Sequence, residues 1–153
     1  MRYRFDSWTF ELGPGCLDVF DASRQRAWWH LETGGQLFAG IRGKLARVEV
    51  ATVTGGRSSR RGRRFRPDPL QQRAEVSFHA SRGLCYVGDW HTHPEDEPAP
   101  SGIDEATMLD VFRSANPPWG AMLMIIVGRA RFPAGLFVGG VAAHPAPARR
   151  RAP

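Results

Sequence analysis

Two histidines one residue apart, His91 and His93, stand in the stretch GDWHTHP, and Ser101 and Asp104 follow in PSGID. In an extended strand, side chains two apart point to the same face. His91 and His93 therefore present two imidazoles together, Thr92 faces the other way, and Pro94 ends the strand. Ten residues lie between His93 and Asp104, enough for a loop to turn back. Ser101 and Asp104 are three apart at a helix start, where such residues share a face and negative charge is favoured. That face continues through Met108 and Val111, so Asp104 points inward. A carboxylate buried there needs a charged partner or a cation. Two histidines and one aspartate make a three-ligand zinc site whose fourth position stays open to water, the arrangement of catalytic rather than structural zinc.

An HxH pair alone is a weak signal, and SxxD at a helix start is ordinary capping. Their conjunction at this spacing is what points to metal. The helix-borne HExxH pattern is absent. A water on such a metal needs a base outside the ligand set. Glu32 in LETGG is one candidate, at the start of a strand followed by Gly34 and Gly35, where backbone lets another chain come close. Glu95, Asp96 and Glu97 lie beside the histidines as a solvated loop, and spacing does not choose among these acids.

The elements that must position these groups can be read from periodicity and breaks. Tyr3, Phe5, Trp8 and Phe10 alternate with polar residues, with one change of phase, which predicts an opening strand with a kink or bulge. Gly13-Pro14-Gly15 reads as a break. A short helix is expected over 16–28, with Leu17, Phe20 and Trp28 toward the core. Strands are expected near 35–40 and 46–53, closing at Gly55-Gly56. Pro67-Asp68-Pro69 opens a second helix, with Asp68 as cap and Pro69 at its first position, and Leu70, Ala74 and Phe78 give its spacing before Gly83. LCYVGDWHTH is a strand, with Trp90 buttressing the first ligand from the opposite face. A third helix runs from Ser101 to about Ser114. AMLMIIVG is a strand buried on both faces, and GLFVGGVAA is another. The order predicts a mixed α/β sandwich in which helices cover a sheet.

The chain of 153 residues fits one domain, and 42% hydrophobic residues suffice for a core. Its net charge of +6 is unevenly placed. Six arginines fall in GRSSRRGRRFR, within the segment 55–66, which is read as a mobile loop. Three more close the segment 145–153, read as a disordered basic tail. Without those nine, 12 basic residues face 15 acidic ones, so the body is slightly acidic. That argues against a specific nucleic-acid-binding face and allows a basic loop to touch an acidic partner. The longest apolar run, AMLMIIV, is too short to span a bilayer. MRYRFDSWTFEL lacks the apolar stretch of a signal peptide, so a cytoplasmic protein without membrane attachment is expected. Cys16 and Cys85 form no CxxC and are expected as free thiols. His30, His79 and His144 have no partner pattern and are expected as core or surface residues.

Taken together, LETGGQLFAG, GDWHTHP and PSGID resemble the JAB/MPN family with its JAMM zinc signature: a glutamate, then HxHP, then SxxD at this spacing. The resemblance runs from about residue 8 to about residue 143. It implies a single-domain α/β fold, a mixed β-sheet flanked by helices, with residues 1–144 as catalytic domain. It implies zinc ligated by His91, His93 and Asp104, Glu32 as general base and proton shuttle, and Ser101 as donor to the tetrahedral oxyanion. Active members cleave peptide or isopeptide bonds after the C-terminal glycine of ubiquitin or a ubiquitin-like protein, and some prokaryotic relatives process sulfur-carrier proteins. YVGDWHTHPEDEPAPS is similar to the peptidases that accompany E1-like and E2-like enzymes in bacterial antiphage operons, although glutamate is common there in place of Asp89. Gly34, Gly35, Arg60 and Arg61 are the expected contacts with the partner's tail. A zinc hydrolase of a sulfur-carrier adduct or small amide and a non-catalytic scaffold are the alternatives at this point.

Overall fold

The computed structural model describes residues 1–27, 32–54 and 69–143. The arginine-rich segment 55–66, the tail 145–153, Trp28, Trp29, His30, Asp68 and His144 lie outside the described residues. The opening alternation is a hairpin. Strand β1 (Arg2–Phe5) pairs antiparallel with β2 (Trp8–Leu12), Phe5 opposite Trp8. The expected kink is thus a two-residue turn, in which Asp6 takes φ 52, a left-handed conformation that aspartate tolerates. The Gly-Pro-Gly break proves to be a helix start. Gly13 is the N-cap and Pro14 opens α1 (Pro14–Ser23), where its missing N–H removes no intrahelical bond.

Strands β3 (Gly34–Arg42) and β4 (Leu45–Ala51) form the next antiparallel pair, and α2 (Pro69–Ala80) follows. Then come β5 (Cys85–Thr92), α3 (Gly102–Ala115), β6 (Ala121–Val127) and β7 (Leu136–Ala142). The seven strands form one mixed sheet in the order β1-β2-β4-β3-β5-β6-β7, parallel at β2/β4 and β5/β6 and antiparallel elsewhere. One face carries the larger core, in which Phe20 of α1 packs with Leu37, Val48, Val87, Trp90, Leu123 and Ile125. The other face carries Met122, Met124 and Ile126 under Met108 of α3. Strand β6 feeds both cores from alternate residues and is buried throughout, which is why its sequence is an unbroken apolar run.

Helix α2 lies on the α3 side but turns the other way round from its expected orientation. Leu70 and Phe78 are 75% and 53% exposed, whereas His79 is buried with its ring 4.2 Å from Phe38. The floor beneath α2 is polar and selects polar partners. Thr52 Oγ1 donates to Glu75 at 2.7 Å, and Gln71 donates to Glu75 at 3.1 Å. Periodicity offers a second stripe, Gln72, Glu75, Val76 and His79, and the polar floor favours that one.

The detail that matters most for function lies in β5. Leu37 pairs with Gly88, but Phe38 pairs with Tyr86, so Val87 is an extra residue in β5. Such a bulge shifts the alternation of every residue beyond it. Val87 and Trp90, three apart, therefore both enter the α1-side core. Without the bulge His91, four residues from Val87, would point into that core as well. With it, His91 faces α3. Gly88 makes the bulge possible: it adopts φ 148, and a Cβ there would lie 1.8 Å from the Leu123 carbonyl oxygen. Among the described residues, no helix is long and apolar enough to cross a membrane.

Gly88→Ala is expected to lower unfolding free energy by more than about 3 kcal/mol, since the strained φ alone costs about 1–3 kcal/mol and the carbonyl clash adds to it. Urea denaturation followed by circular dichroism measures this, and a loss under 1 kcal/mol would show that β5 can do without the bulge.

Candidate metal centre

The end of β5 and the start of α3 meet in space. His91 projects from the strand, and His93 lies just beyond it with its backbone N–H donating to the Val127 carbonyl at the end of β6 (2.9 Å). Ser101 caps α3 through a capping box. Its Oγ accepts from the Asp104 N–H at 3.3 Å, and Asp104 Oδ2 accepts from the Ser101 N–H at 2.7 Å. The Ser101 hydroxyl also donates to Oδ2, at 2.6 Å. Asp104 is thereby oriented by three hydrogen bonds before any ligand arrives.

The donor atoms converge. His91 Nε2 and His93 Nε2 are 3.1 Å apart, Asp104 Oδ1 is 3.4 Å from His91 Nε2, and Oδ2 is 3.5 Å from His93 Nε2. Each histidine is nearest a different carboxylate oxygen, and one donor atom from each residue can be chosen so that all lie within 4.8 Å of one another, close enough to share a cation. Protonation fits as well. Burial pulls His91 down to about 4, with the neighbouring His93 adding to the effect and Asp104 opposing it. For Asp104, burial acts upward, but the hydrogen bonds from Ser101 and the two imidazoles outweigh it and hold the carboxyl below its ordinary value. Near neutral pH His91 is thus neutral and Asp104 ionised, as metal binding requires. His91, His93 and Asp104 form a cluster that could hold a metal ion, with side chains 17%, 13% and 19% exposed.

The three open onto a cleft of about 690 Å³ that Glu32 also lines. Its apolar wall comes from Ile103, Met108, Val111 and Met124. Asp89 stands in the wall too; burial pushes its carboxyl up to about 6, against a hydrogen bond with Tyr86. Gly34 pairs with His91 and bridges to Thr54. The close approach expected at these glycines is made by the chain itself, since a Cβ on Gly35 would lie 1.9 Å from the Thr52 carbonyl oxygen. Of the neighbouring acids, Glu95 Oε2 lies 3.4 Å from His93 Nδ1 and Asp96 pairs with Arg129 at 3.0 Å. Trp90 is fully buried behind the site against Phe20, with its indole N–H bonded to the Thr52 carbonyl. His79 packs on Phe38 away from the ligands, and Cys16 and Cys85 are free thiols. Arg60 and Arg61 lie outside the described residues.

Sequence reasoning missed two residues that hold the site together. Thr92 is fully buried, and its Oγ1 accepts from Gln25 Nε2 at 3.1 Å and from the Thr33 N–H at 3.0 Å. Strand alternation turns Thr92 away from the imidazoles, and nothing in the local pattern marks Gln25.

A family model described as prokaryotic homologs of the JAB domain matches residues 19–136. The chain is 35% identical over 118 residues to a CD-NTase/cGAS isopeptidase of Pseudomonas aeruginosa, covering 74% of this chain and 73% of that one. It is 34% identical over 119 residues to a probable metalloprotease of Sinorhizobium fredii, covering 71% and 68%. A solution structure of a Desulfitobacterium hafniense protein superposes with a TM-score of 0.58 at 22% identity, over 84% of this chain and 80% of that one, which shows a shared fold.

Ser101→Ala removes two of the three bonds that orient Asp104. Metal affinity, measured by competition with a chromophoric chelator, is expected to fall about 10- to 100-fold, with about 1 kcal/mol of stability lost with the cap. Unchanged affinity would mean that Asp104 needs no orienting.

Proposed function

Because the chain belongs to the prokaryotic homologs of the JAB domain, we propose that it is a JAMM-type zinc isopeptidase or peptidase that cleaves after the C-terminal glycine of a ubiquitin-like protein. The observation that carries the reading is the convergence of His91, His93 and Asp104 at the wall of a cleft that also holds Glu32. His91, His93 and Asp104 would hold the zinc. Bound there, zinc would polarise the scissile carbonyl and acidify water. Glu32 takes the proton from the attacking water and returns it to the leaving nitrogen. Ser101 releases its hydroxyl from Asp104 and donates to the developing oxyanion, which is worth several kcal/mol in such sites.

The substrate's tail binds extended beside the site. Arg60 and Arg61 of the arginine-rich segment are its proposed contacts, whereas Gly34 and Gly35 are buried between β5 and residues 52–54 and let those segments approach. Residues 1–144 act as the catalytic domain, and 145–153 as a basic tail. The isopeptidase relatives are named for CD-NTase/cGAS, so a conjugate between such a protein and a ubiquitin-like partner is the proposed substrate class. The setting is a bacterial cytoplasmic conjugation pathway with E1-like and E2-like enzymes, in antiphage defence.

The test is cleavage of ubiquitin-like proteins carrying C-terminal extensions or isopeptide-linked partners. Activity is expected to vanish with a chelator and return with zinc. Glu32→Gln is expected to lower kcat about 10²- to 10⁴-fold while metal content stays at the wild-type level. Hydrolysis of small amides or sulfur-carrier adducts, with no cleavage of any ubiquitin-like fusion or conjugate by the zinc-loaded protein, would overturn the reading.

A further inference from the structure

We propose that Thr92, the residue between the two histidines, is the positioning residue that holds the base Glu32 in register with the metal ligands; the proposal rests on the peptidase reading above. Thr92 lies at the end of β5 with its side chain on the α1 side, fully buried. It holds both backbone polar groups of Thr33. Its own N–H donates to the Thr33 carbonyl at 2.8 Å, and its Oγ1 accepts from the Thr33 N–H at 3.0 Å. Glu32 is the next residue back and lines the metal cleft. The regular ladder of β3 begins only at Gly34, opposite His91. The hydroxyl therefore supplies the tie that a strand partner would otherwise give, one residue beyond the end of the ladder.

A second tie comes from Gln25, just past α1 and 4% exposed, whose Nε2 donates to the same oxygen at 3.1 Å. One buried hydroxyl thus joins the segment leaving α1, the approach to β3 and the ligand-bearing strand. Because His91 and His93 flank Thr92 directly, a movement of the Glu32 backbone that carries Thr33 away from β5 would stretch these bonds. The effect falls on geometry between base and metal, to which rate is steeply sensitive: a displacement of about 1 Å can cost about 100-fold.

Thr92→Val keeps the shape and removes the acceptor, leaving the buried Gln25 amide and the half-buried Thr33 N–H without this partner. Its kcat on a ubiquitin-like fusion is expected to fall about 10- to 100-fold, with KM and zinc affinity within about twofold of wild type. Thr92→Ser is expected to restore kcat to within about threefold. Amide hydrogen exchange at Thr33 is expected to be slow in wild type and Ser and fast in Val, a readout that needs no substrate. If wild type cleaves nothing, the peptidase reading fails while exchange still tests the tie. Unchanged kcat in Val, or loss of zinc affinity together with kcat, would overturn the positioning role. Should Val not fold, Thr92→Cys, with a weaker acceptor, serves instead: an intermediate kcat at constant KM supports the role, and wild-type kcat overturns it.

Discussion

At Val87 and Gly88 the strand that carries the histidines has one residue more than its neighbour, and the two faces of the sheet acquire their different characters there. A strand has only two sides, and a slip of one residue exchanges them. The bulge sends Trp90 into the α1-side core, turns Thr92 toward Gln25 on the same side, and leaves His91 facing α3, where an aspartate at a helix start can meet it. The backbone conformation at that point and the contact with the Leu123 carbonyl admit only glycine. A chemical site is thus built from a backbone irregularity rather than from an exposed loop.

The ligands then serve two structural elements at once. Asp104 closes the capping box that starts α3 and also completes the ligand triad. The helix start and the candidate metal site share one carboxylate, so folding of α3 places a negative charge there. Burial does the corresponding work for His91 by disfavouring its protonated form. On the far side of the strand, Thr92 and Trp90 bond to Thr33, Gln25 and Thr52, so the sheet beneath the ligands is bound on both its faces. Such outer contacts hold first ligands in place in metal sites generally.

Helix α2 illustrates a different competition. Its apolar stripe of Leu70, Ala74 and Phe78 has helical spacing, and burial of that stripe would be the usual outcome. Thr52 and Glu75 instead form a short hydrogen bond beneath the helix, and Gln36, with its amide nitrogen on that side, donates to Glu75 and to the Gln72 carbonyl. Polar groups in a floor must find partners, and that requirement outranks the gain from covering three apolar side chains. The outward apolar residues follow from this, and Arg82 lies over the Phe78 ring.

The chain's residue types and spacing were enough to mark His91, His93, Ser101 and Asp104 as one cluster, because i, i+2 on a strand and i, i+3 at a helix start are local relations that survive in almost any fold. The start of α3 at Ser101 and the doubly buried β6 were legible for the same reason. The hairpin turn at Asp6, the start of α1 at Pro14 and the inward face of α2 were not, since each depends on which of two locally allowed arrangements the rest of the molecule supports. The family resemblance named Glu32, but only the tertiary structure shows it lining the cleft of the His-His-Asp cluster, and only the structure disclosed Thr92 and Gln25. Those contacts join residues 59 and 67 positions apart, and no periodicity encodes a hydrogen bond across that distance. Local geometry follows from neighbouring residues, whereas the meeting of Glu32 with the His-His-Asp cluster follows from strand register, which is decided by the packing of the whole sheet.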